Sequence, residues 1–171
     1  IGERLGGKRH GRGVLYRSRD DSTYLGEWAD GKEHGVGAEL VGAAAAAGAA
    51  ADDDVGLQLY RGGWRAGSRH GHGTLVVPGC GLRYTGQWAS GCFHGEGRWS
   101  CDEPSDEPCE GAPAVVERYE GSWAGGVRSG FGSASKVGAL GGALGGSYEG
   151  EWLHGRRHGV GVDAPRGRRG C

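Results

Sequence analysis

The feature that most restricts this chain is a frame that returns along its length: aromatic-x-Gly-x-Trp-x-x-Gly-x-x-His-Gly-x-Gly. It is complete at Tyr24–Gly37 and returns at Tyr60–Gly73, Tyr84–Gly97, Tyr119–Gly132 and Tyr148–Gly161. A sixth copy opens the chain in mid-frame, with Gly2, Gly7, His10, Gly11 and Gly13 in register. Self-similarity at a fixed pattern signals a stack of small units that cannot bury their apolar faces alone. Forty of the 171 residues are glycine, and only 36% are hydrophobic. That leaves too little apolar bulk for one large core, so the six Trp and six Tyr must supply a thin, repeated one.

Within each frame the first five residues read as a strand. Alternation puts Tyr24, Gly26 and Trp28 on one face, with Leu25 and Glu27 on the other. The outward residues elsewhere (Arg61, Gly63, Thr85, Gln87, Glu120, Ser122, Glu149, Glu151) are mostly polar, as on a half-solvated strand. Three residues after the Trp comes a glycine, and Asp30-Gly31 is a strong two-residue hairpin turn because both residues tolerate positive φ. The second strand is expected from about His34, with Gly35 and Gly37 on one face as bare backbone under a ring of the neighbouring strand. Each frame is therefore one β-hairpin. A lone hairpin is marginal in water, so successive hairpins must stack and share their rings.

This frame resembles the MORN repeat, named for membrane occupation and recognition nexus. The resemblance rests on the ten frame aromatics and the paired glycines, and it spans six copies. It implies an all-β fold: stacked antiparallel hairpins in an elongated, twisted, single-layer sheet, with aromatics lining a groove. Six hairpins at ~4.8 Å per strand would extend ~55–60 Å. Residues 1–162 form this solenoid and 163–171 a basic tail. The tyrosine spacings are 36, 24, 35 and 29 residues. The excess falls in 41–59, 99–118 and 133–147, whose biased composition predicts irregular inserted loops. Ser129 replaces the frame histidine in one copy, and Arg4 stands in the Trp position of the first, so these two hairpins are expected to be the weakest. The start in mid-frame suggests that the chain begins inside a longer solenoid.

No catalytic constellation emerges. His10, His34, His70, His94 and His158 share one frame position, which suits a hydrogen-bonding role at the hairpin return. His154 and His158 lack the Glu of a zinc-protease motif, and the cysteines have no zinc spacing, so no metal is expected. No GxGxxG or GxxxxGK[ST] is completed, so no nucleotide or other cofactor is expected either. Five cysteines without CxxC pairing favour reduced thiols in a cytoplasmic protein. No run of ~18 apolar residues is present. A net charge of −1 gives no reason to expect nucleic acid.

Two candidate surfaces remain. Tyr24, Trp28, Tyr60, Trp64, Tyr84, Trp88, Tyr119, Trp123, Tyr148 and Trp152 are either the thin core or a groove for a protein segment or a second copy, since Trp and Tyr are favoured anchors. The tight turns gather net positive charge (Lys8, Arg9, Arg69, Arg156, Arg157) while the connections gather negative charge, so the turn edge is a candidate site for acidic phospholipid. The expected function is a non-catalytic scaffold or adaptor at a cytoskeletal or membrane-associated site, with no small-molecule substrate. The resemblance also admits the regulatory repeat region of a larger enzyme, such as a phosphoinositide kinase or methyltransferase.

Overall fold

The computed structural model describes residues 1–42, 57–103, 115–138 and 146–164. Twelve strands form one antiparallel sheet in which every strand pairs only with its neighbours in sequence. They are β1 (Gly2–Leu5), β2 (Lys8–Arg17), β3 (Ser22–Ala29), β4 (Lys32–Val41), β5 (Gln58–Arg65) and β6 (Ser68–Val77). After a 3-10 turn at Pro78–Cys80 come β7 (Leu82–Ala89), β8 (Cys92–Glu103), β9 (Val115–Ala124), β10 (Val127–Gly138), β11 (Ser147–Leu153) and β12 (Arg156–Ala164). The expected repeat of hairpins in a single layer is what the chain forms.

Each frame closes on a turn with two positive-φ residues: Asp30 at 50° and Gly31 at 83°, Ala66 at 51° and Gly67 at 88°, Ser90 at 51° and Gly91 at 84°. Such turns match the twist of their strands. They also link hairpin to hairpin. The amide of Gly31 donates to the carbonyl of Arg9 at 2.9 Å, and Gly67, Gly91, Gly126 and Gly155 donate in turn to Glu33, Arg69, Phe93 and Arg128. The tight turns are thereby stacked along one edge.

The two glycines after the frame histidine play different roles, contrary to the expectation that both serve as ring platform. Gly37 lies opposite Gly26, and the Tyr24 ring rests on this pair. Gly35, at φ +61°, belongs to a β-bulge: the register passes from Gly26–Gly37 directly to Glu27–His34. The bulge frees a carbonyl, and the tyrosine hydroxyl takes it. Tyr24 Oη donates to Glu27 O at 2.9 Å, and Tyr60, Tyr84, Tyr119 and Tyr148 donate to the carbonyl at the same offset. A buried phenol and a displaced carbonyl thus satisfy each other.

The core is a ladder of crossed rings. Each Tyr meets its own Trp edge to face, and four of the five also meet the Trp of the following hairpin, at centroid separations of 5.0–5.6 Å. Four indoles reach back one repeat: Trp28, Trp88, Trp123 and Trp152 donate to the carbonyls of Gly13, Gly73, Gly97 and Gly132 at 3.0–3.3 Å. Trp64 Nε1 alone is buried without a partner among the described residues.

The strands reach further than composition suggests. The expected loop 99–118 narrows because β8 runs to Glu103 and β9 starts at Val115, paired to their ends. The expected loop 133–147 loses 133–138 to β10, and the tail loses Asp163 and Ala164 to β12. In 41–59 the strands β4 and β5 extend to Val41 and Gln58. Ladder hydrogen bonds outweigh the weak strand preference of Ser, Ala and Gly there. Within these segments residues 43–56, 104–114 and 139–145 lie outside the described residues, and so do most of the acidic residues assigned to the connections.

Candidate binding faces

The ten frame aromatics do not line an open groove. Tyr24, Tyr60 and Tyr84 are 0% exposed, and the frame tryptophans are 4–6% exposed. Their faces are used by one another and by glycine backbone. Burial pushes the hydroxyls of Tyr60, Tyr84 and Tyr119 up to about 12, and that of Tyr24 higher still. These residues are the thin core, not the docking surface.

What covers the ladder is a second row that sequence reading assigned to the turn edge. The residue two places after each turn glycine points onto the inner face and lies over the rings. The Arg9 guanidinium sits 5.0 Å from the Trp28 ring centre, Arg69 4.8 Å from Tyr60, Arg128 4.9 Å from Tyr119, and Arg157 4.7 Å from Tyr148. Such stacking is favourable by ~0.5–2 kcal/mol each. Glu33 holds the same position in the second hairpin. It is buried and paired with Arg17, while Glu39 bridges Arg17 and Arg69. Arg128 pairs with Glu117 at 3.2 Å, and Arg157 pairs with Asp163.

The proposed basic edge is therefore divided. Arg9, Arg69 and Arg157 belong to the inner-face cover, and two of them already hold carboxylates. Lys8 and Arg156, one residue earlier on their strands, are exposed and face the other way. The five residues do not make one lipid-facing surface.

One position in the cover is different. Phe93 stands where the other hairpins have Arg or Glu, and it stacks on Tyr84 at 3.8 Å with an interplanar angle of 11°. It also contacts Trp88 and Trp123 edge to face. Trp99, on the same strand, fills a position held by Leu15 and Leu75 in other hairpins and lies under Arg128. Both rings are half-buried and pack on the core beside Leu75, Val77 and Leu82. The inner face thus has an apolar centre flanked by charged pairs on both sides.

The sequence pattern of the MORN repeat matches the chain six times, at residues 5–21, 24–39, 60–78, 84–102, 119–134 and 148–162. The chain belongs to the MORN repeat family. MORN repeats are in general protein- or membrane-binding repeats. No curated protein matches the chain.

Two further features of the MORN frame went unread in the sequence. The polar residue before the Trp closes the bulge: Glu27 accepts from the Val36 amide at 3.3 Å, and Glu3 from Arg12. Gln87 and Glu151 lie against the bulge glycines Gly95 and Gly159 in the same way. The frame histidines contribute their carbonyls. His34 O and His158 O receive long bonds (3.4 Å) from tyrosine hydroxyls, while their imidazoles make no hydrogen bond among the described residues. No group of three or more His, Cys, Asp or Glu among the described residues is placed to hold a metal ion.

Proposed function

We propose that this MORN solenoid is a non-catalytic scaffold or adaptor that captures a protein segment on its inner face, anchored at Phe93 and Trp99. The observation that carries the reading is the interruption of the charged cover. At β8 the arginine that shields the rings elsewhere is replaced by an exposed-edged phenyl ring, and an indole stands beside it. Desolvated aromatic anchors ringed by polar groups are the usual anatomy of a binding hot spot. The segment that fits has an apolar residue at its centre and charges of both signs at its ends, facing Arg17, Glu33, Glu39 and Arg69 on one side and Glu117 and Arg128 on the other. The thiols of Cys80 and Cys92 are exposed and unpaired, which suits work in the cytoplasm.

The repeat itself supplies fold-neutral probes. Phe93→Arg installs the residue found at Arg9, Arg69, Arg128 and Arg157, and Trp99→Leu installs that of Leu15 and Leu75. Pull-down from a native extract is expected to capture specific bands with the wild-type chain and to lose them by at least about tenfold with either variant. Melting temperatures should shift by no more than ~3 °C. Undiminished capture by both variants would refute the assignment.

A further inference from the structure

The connection between β6 and β7 brings two cysteines together. Val77 and Leu82, at its two ends, pack on the ring ladder. Between them the Gly81 amide closes the 3-10 turn on Pro78 O at 2.9 Å. The turn is thereby laid against β8. Cys80 is exposed on the turn, and half-buried Cys101 meets it from β8. The Cys101 thiol donates to the carbonyl of Cys80 at 3.2 Å, while the Cys80 thiol points back to Val77 O at 3.7 Å. Alternation places Cys101 on the inner face with Trp99, opposite Glu117.

The repeat does not require a thiol at this place. The same strand position holds Arg17, Val41, Val77 and Lys136 in other hairpins. The third described cysteine is out of reach: Cys92 and Cys101 are nine positions apart on β8, or ~30 Å at ~3.3 Å per residue. Cys80 is close. A carbonyl oxygen lies ~2.4 Å from its own Cα, so the Cys101 sulfur is within ~6 Å of the Cys80 Cα. Turning the Cys80 side chain from Val77 O toward β8 brings the two sulfurs toward bonding distance. Gly79 and Gly81 flank Cys80, and neither has a side chain to obstruct that movement.

We propose that Cys80 and Cys101 are a redox modification site, joined in a reversible intramolecular disulfide by exchange with a small-molecule disulfide such as oxidised glutathione. The exposed Cys80 thiolate attacks one glutathione sulfur, the glutathione S–S bond breaks, and one glutathione thiolate leaves. The Cys101 thiolate then attacks the Cys80 sulfur and expels the second glutathione. The cysteine pair gives up two electrons and two protons, and oxidised glutathione becomes two thiols. A reducing pool reverses both steps, so the bridge is a transient state of a protein whose thiols are otherwise reduced. The bridge closes a 21-residue span and ties the β6–β7 connection to β8, across β7. It requires no partner and stands independently of the protein-segment reading.

The test oxidises the full, dilute chain with glutathione disulfide, blocks remaining thiols by alkylation, and maps the tryptic peptides by mass spectrometry without reduction. Cleavage after Arg83 and Arg98 separates Cys80 from Cys101, so a linked pair of peptides reports the bridge. Cys101 and Cys109 share one tryptic peptide, and Cys109→Ser resolves them. The linked pair is expected in the wild-type chain and in Cys109→Ser, and is expected to vanish in Cys80→Ser and Cys101→Ser. Cys80 is exposed, so Cys80→Ser keeps the fold, which circular dichroism checks. Oxidation should raise the melting temperature of the wild-type chain by roughly 5–10 °C, dithiothreitol should return it, and Cys80→Ser should show no rise. Oxidation that leaves only a glutathione adduct on Cys80 overturns the proposal. So does a linked pair that survives Cys101→Ser or disappears with Cys109→Ser. A bridge that fails to raise the melting temperature would mean that the sheet distorts to accept it, and overturns the proposal equally.

Discussion

Gly97→Ala puts the ring-on-glycine arrangement to a quantitative test. Gly97 is buried beneath the Tyr84 ring, and a methyl group there would stand 2.6 Å from the ring carbons Cε2 and Cζ. No carbon tolerates that approach, so the ring must lift. Lifting exposes part of a side chain whose full burial is favourable by ~1.5–3 kcal/mol. It also strains the 2.8 Å bond from the Tyr84 hydroxyl to Gln87 O, which contributes ~1 kcal/mol. Alanine returns ~0.5–1 kcal/mol by restricting the unfolded chain. The expected net loss is ~2–3 kcal/mol. For a chain of this size that is a fall in melting temperature of ~4–12 °C, read by circular dichroism. The mechanism has its own signature in a double-mutant cycle. With Tyr84→Leu already in place the ring is gone, so adding Gly97→Ala should cost under ~1 kcal/mol. A loss below ~0.5 kcal/mol for the single variant, or strict additivity in the cycle, would refute the reasoning.

Other outcomes follow from the same geometry. Trp88→Ala removes a 4% exposed indole that bonds Gly73 O and meets Tyr60, Tyr84 and Phe93, so it should cost ~3–5 kcal/mol in thermal or denaturant unfolding. Any loss of partner capture by that variant should be no larger than its loss of folded protein; capture falling while the fold is kept would contradict this. Glu27→Ala removes the acceptor for the bulge amide of Val36 and should cost ~0.5–1 kcal/mol, whereas Glu27→Gln, the residue present at position 87, should be near neutral by the same melt. Equal effects of the two would show that the carboxylate does not close the bulge.

Much of the fold was legible because the repeat states its own geometry. Asp30-Gly31 names the turn, the Tyr-x-Gly-x-Trp spacing names the strand face, and the paired glycines name the ring platform. The bulge was not legible, because Gly35 and Gly37 look alike in sequence and only register shows that one supports Tyr24 while the other takes positive φ. The cover was misassigned for a related reason. Alternation tells which face Arg69 occupies but not that its guanidinium reaches Trp88 of the next hairpin while Glu39 holds it. Phe93 and Trp99 escaped notice as a site because Phe93 holds a variable position of the frame and Trp99 lies beyond it, and the frame drew attention to rings that the fold consumes. In a repeat protein, departures from the frame are where a surface can be specialised without cost to the ladder.

The central claim is that the frame rings are interior, and the ionisation of the tyrosines tests it most directly. Burial raises the folded-state values of Tyr60, Tyr84 and Tyr119 to about 12 against an ordinary value of 10, with Tyr24 also raised. The folded chain therefore keeps protons that the unfolded chain would release above pH 10. The stabilisation is whole below pH 10 and is lost as pH climbs through about 12. Absorbance at 295 nm, followed together with far-ultraviolet circular dichroism, should show Tyr60, Tyr84 and Tyr119 ionising near pH 12, with Tyr24 also held well above its ordinary range, in step with loss of the sheet. Ionisation of all four near pH 10 with the sheet intact would mean open rings, and would contradict the account.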